Sequence, residues 1–182
     1  MKSVELAITI VAHCIKSGNF ITQFTLYSLV YAINLVNLYK NKSILLDEPF
    51  KFTRLGIMQV DCYEAFNYKC GNNIFELPSG FWASYEPYRS FAGKETEIYY
   101  KTIEQLKNCN IYDDFNNLIK LTLSVEGTRL LRSFLTDYNS LYRKIIDKIP
   151  SDDFERKEIP LHLLILEAKR FNDEFFYEEY LI

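Results

Sequence analysis

The stretch "LYSLVYAINLVNLYK", Leu26 to Lys40, constrains this chain more than any other. Wound into a helix it is apolar on nearly every side, and a helix without a polar face has to be covered all round. The rest of the chain must therefore supply a wrapping for one central helix. Thr22 or Thr25 offers a cap for its start. Asn34 and Asn37 fall inside the apolar body, where each needs a hydrogen-bond partner or a wet edge. Beyond Asn41 the period lapses. Pro49 forbids a continuous helix through "SILLDEPFKF", which predicts a loop with a short extended piece.

Candidate wrapping elements follow from spacing. Val4, Ile8, Val11 and Ile15 recur at helical steps, with Lys2, Glu5, Thr9, His13 and Lys16 on the opposite side. This predicts a first helix over residues 2–17, stopped by Gly18-Asn19, with His13 on a polar stripe. Val60 and Tyr63 mark a helix that ends near Cys70-Gly71. Residues 71–93 hold several breakers and read as a long irregular loop. Lys94 to Asn108 reads as a helix with a solvated charged face.

The last third carries two seams. Leu131, Leu135, Tyr138, Tyr142, Ile145 and Ile149 are spaced four and three apart, as are Leu161, Leu164, Ala168, Phe171 and Phe175. A short connection between Pro150 and Pro160 makes them an antiparallel helical hairpin, whose seams either satisfy each other or dock on a partner. The expected fold is thus mostly α: a helical body over residues 1–125 with a short extended region, and a C-terminal helical hairpin over residues 126–182 packed on the same core.

Little here points to catalysis. No phosphate-binding glycine loop, nucleophile elbow or zinc-protease motif is present. Asp113-Asp114 and Asp152-Asp153 fit helix caps better than acid–base work. Cys14, Cys62, Cys70 and Cys109 stand far apart with only His13 and His162 for company, so they read as buried reduced thiols, and no metal or cofactor is expected. A formal charge of −3 gives no global pull toward nucleic acid. No apolar run reaches the roughly 20 residues of a membrane span, and the chain reads as a non-catalytic cytoplasmic protein.

Binding surfaces are easier to nominate. In "FNDEFFYEEYLI" the seam takes Phe171 and Phe175, which leaves Phe176, Tyr177 and Tyr180 beside Glu178 and Glu179. Aromatics among carboxylates suit a basic protein surface, although folding back onto the body would cover them equally well. Phe81-Trp82, in the irregular stretch, is a second candidate contact. The segment "LTLSVEGTRLLRSF" resembles the end of a wing and the start of the final helix in winged-helix regulators. Arg129, Arg132, Arg143 and Lys144 would then lie near phosphates. Asp137 and Asp147 interleave with them, and a solvated helix face explains the same residues.

One further pattern spans Ile21 to Ile74. Leu26, Leu29, Val30 and Tyr31 lie on one helix, Leu45, Leu46 and Phe50 lead through a non-helical segment to Gly56, Tyr63 follows seven positions later, and "NYKCGNNI" closes the unit. This resembles the core of the Panacea (SocA-like) domain family, with Ile57-Met58 where the family has Pro-Val. The resemblance implies a mostly helical protein-binding module, an antitoxin that neutralises a toxin encoded beside it or an adaptor that delivers one to a protease. It makes Gly56 and Tyr63 structural turn positions. The alternatives are a small helical subunit of a phage-defence or counter-defence complex, and a DNA-binding regulator.

Overall fold

The computed structural model describes residues 1–17, 21–53, 56–67, 74–76, 81–84, 94–146, 148 and 157–176. They form a mostly helical fold. In chain order the elements are α1 (Ser3–Lys16), β1 (Ile21–Thr22), α2 (Gln23–Asn41), β2 (Lys51–Thr53), β3 (Gly56–Met58) and α3 (Val60–Asn67). There follow β4 (Ile74–Glu76), β5 (Phe81–Ser84), α4 (Lys94–Asn108), α5 (Tyr112–Thr122), α6 (Val125–Thr136), α7 (Leu141–Ile146) and α8 (Leu161–Arg170). A π-helical turn, Phe171–Phe176, extends α8.

Helix α2 is the axis. It packs against α1, α3, α5, α6, α8, the π turn and β3. Leu26, Leu29 and Leu35 are fully buried along it, each a contribution of about 1.5–3 kcal/mol. Its N-cap is Thr22, whose hydroxyl oxygen accepts the Thr25 N–H at 3.1 Å. Its end is a left-handed residue, Lys42 at φ 55°, whose N–H bonds back to the Leu38 carbonyl. The two asparagines inside it pin the loop that follows. Asn34 Oδ1 accepts the Leu45 N–H at 3.0 Å, and Asn37 Nδ2 donates to the Ser43 carbonyl at 2.6 Å. Without the first of these bonds the Leu45 N–H would be buried unmatched.

After that loop, β2 and β3 pair antiparallel, with Phe52 opposite Ile57 and Thr53 opposite Gly56. Gly56 stands at φ +128°, a backbone region that L side chains rarely occupy. Residues 157–159 run along the other side of β2. The Phe52 N–H donates to the Lys157 carbonyl and the Ile159 N–H to the Phe50 carbonyl, both at 2.9 Å. The connection into α8 is thus tied to the hairpin.

Four expectations change. Residues 71–93 are not simply a loop, because β4 and β5 pair there and β5 adds β1, with Ile21 opposite Trp82. The seam from Leu131 to Ile149 is not one helix: it breaks after Thr136 and resumes at Leu141, leaving Tyr138 81% exposed. The break has its own chemistry, since the Ser140 hydroxyl donates to the Asp137 carbonyl and accepts the Arg143 N–H. Asp114 is no cap. It meets Lys40 Nζ at 2.6 Å and ties the end of α2 to the start of α5. The polar stripe that carries His13 is partly covered, because its ring meets the Phe115 ring edge-on at 5.3 Å and Tyr99 Oη at 3.3 Å. Asp152 and Asp153 lie outside the described residues.

Residues from both halves share one core. Leu131, Leu135, Leu164, Phe171 and Phe175 are buried in the same cluster as Leu6, Leu26 and Phe115. Cys14 and Cys62 are buried free thiols, and Cys109 is partly buried. Burial pushes the Cys14 thiol up to about 12, which makes it a poor nucleophile. Cys70 lies outside the described residues.

Candidate partner-binding surface

The organising group is Arg170, at the last position of α8. Its side chain is 9% exposed, and it gathers three carboxylates. Nη2 donates to Glu167 Oε1 at 2.9 Å, Nη1 to Asp137 Oδ1 at 3.3 Å, and Glu174 Oε2 lies 3.7 Å from Nη1. Glu167 is itself buried, at 3% exposure, and its Oε2 accepts the first backbone N–H of α7, that of Leu141, at 3.0 Å. A buried carboxylate is tolerated only when paired and hydrogen-bonded, and Glu167 is both.

Above this network lies an aromatic layer. The π turn, with its wider i→i+5 spacing, sets Phe175 over Phe171 with the rings stacked 5.0 Å apart. Phe134 of α6 leans on both, at 5.8 and 4.9 Å. Between α6 and the π turn these side chains leave an open groove of about 420 Å³. Leu130, Phe134 and Phe175 form its apolar wall, and Asp137 and Glu174 its rim. The rim carboxylates are 39% and 53% exposed. Three carboxylates around one guanidinium leave an excess of negative charge beside an apolar surface.

On the other side of α6 lies a smaller cleft of about 70 Å³ between α2, β3 and α6. Thr136 lines both hollows, so α6 is a ridge between them. Arg132 lies at the cleft, its guanidinium 5.2 Å from the centre of the Phe24 ring.

The nominated residues divide into three groups. Tyr177, Glu178, Glu179 and Tyr180 lie outside the described residues, and Phe176 is described only as the last residue of the π turn. Phe81 and Trp82 belong to β5, whose backbone pairs with Thr22 and Ile21. Gly56 and Tyr63 flank α2: Gly56 opens β3, and the Tyr63 carbonyl accepts from the Tyr27 hydroxyl at 3.4 Å. The segment that looked like the end of a wing is a junction between two helices. Leu121 and Thr122 finish α5, and Ser124 caps α6 through the Gly127 N–H at 2.9 Å. Arg129, Arg132, Arg143 and Lys144 are exposed.

Spacing alone could not find the Glu167–Arg170–Asp137 network. Glu167 and Arg170 are one helical turn apart in "LEAKR", a pattern shared by many solvated faces. The residue whose ring covers Arg170, Phe134, lies on a different helix.

Among the described residues no group of three or more His, Cys, Asp or Glu side chains could hold a metal ion. No helix among them is long and apolar enough to cross a membrane. Comparison with protein-family models, with curated proteins and with solved structures gives no match.

Proposed function

We propose that this chain is a non-catalytic protein-binding module of the antitoxin type, which neutralises a partner by covering part of its surface. One observation carries the reading: the groove beside the π turn joins an apolar wall to a rim of partly exposed carboxylates. Such a surface suits a partner segment that alternates apolar and basic side chains, because the rim charges steer it and the partly exposed Leu130 and Phe134 hold it. The Panacea-like spacing around Gly56 and Tyr63 favours the same class of function. A small subunit of a larger phage-defence or counter-defence assembly would use the same groove and differ only in the size of what it binds.

The test is co-expression of the tagged chain with the products of adjacent genes, followed by identification of whatever co-purifies in stoichiometric amount. A small toxic protein supports the antitoxin reading, and a large multisubunit partner supports the assembly reading. In either case Leu130→Asp with Glu174→Lys, two exposed positions, should cut retention at least about tenfold, or about 1.4 kcal/mol, while the circular dichroism spectrum is unchanged. A partner retained equally by the double variant would remove the groove from the argument. If no partner were found, the module reading itself would fail.

A further inference from the structure

We draw no further inference here: the strongest candidate, the exposed apolar face of α8 formed by Leu161, Ile165 and Leu166, is an unpartnered surface, and nothing in the structure shows what covers it.

Discussion

The Arg170 guanidinium lies 3.9 Å from the centre of the Phe134 ring and also donates from Nη2 to the Phe134 carbonyl, 2.8 Å away. One side chain thus holds both the face and the backbone of the residue that walls the groove. Because the guanidinium is planar, it can stack and donate at the same time, and a lysine ammonium cannot reproduce that.

Replacing Arg170 by Met should therefore do more than remove a surface charge. It leaves the Glu167 carboxylate buried without its cation, a loss expected to be about 3–5 kcal/mol. Glu167→Gln keeps an oxygen for the Leu141 N–H and leaves Arg170 its pairings with Asp137 and Glu174, so it should cost less. Equilibrium urea unfolding of the two variants measures this. If R170M came within about 1 kcal/mol of the parent, the network would be a marginal one.

Gly127 should resist the most ordinary of stabilising substitutions. Alanine for glycine inside a helix usually gains about 1 kcal/mol. Here a Cβ would stand 2.0 Å from the Leu121 carbonyl oxygen, and backbone cannot swing aside as a side chain does. Gly127→Ala should cost about 1–3 kcal/mol by forcing α5 and α6 apart. A thermal melt that rose instead of falling would show that the junction yields.

Stability should decline in mild acid through His13. Burial, and then the nearby Lys16 charge, lower its pKa from the ordinary 6.5. The ring sits between Phe115 and Tyr99, and Lys16 Nζ lies 3.8 Å from the centre of the Tyr99 ring. As pH falls below 6.5 the unfolded chain takes up the proton first. It then binds more protons than the folded chain, so folding free energy is lost until the folded ring also titrates, and the loss levels off below that point. Urea unfolding between pH 7.5 and 5 should show this slope in the parent, reduced in His13→Asn. An equal slope in both would assign the pH dependence to other groups.

Much of the helical framework was legible because its signals are local. The all-round apolar body of α2, a threonine cap at its start (Thr22 of the two candidates) and the span Lys94–Asn108 need nothing from distant residues. What escaped was decided elsewhere in the chain. Strands of two to four residues are too short to show an alternating period, and they exist because β1 and β5 find each other across some sixty residues. His13 falls on a polar stripe by spacing, yet Tyr99 and Phe115 arrive from two other helices to cover it. The break at residues 137–140 is a case where spacing misled. The seam continues numerically through Tyr138, while Asp137 and Ser140 carry turn chemistry strong enough to interrupt it. The groove inherits that difficulty, because its rim residue Asp137 is in place only if the helix stops there.

The central position of α2 also has a consequence during synthesis. This helix leaves the ribosome well before α8 and the π turn that cover one of its sides, which follow it by about 120 residues. At ordinary elongation rates that interval is on the order of ten seconds. For that time the side of this leucine-, valine- and isoleucine-rich segment that α8 and the π turn will cover has no native partner, and an exposed apolar face of that kind suits recognition by a chaperone.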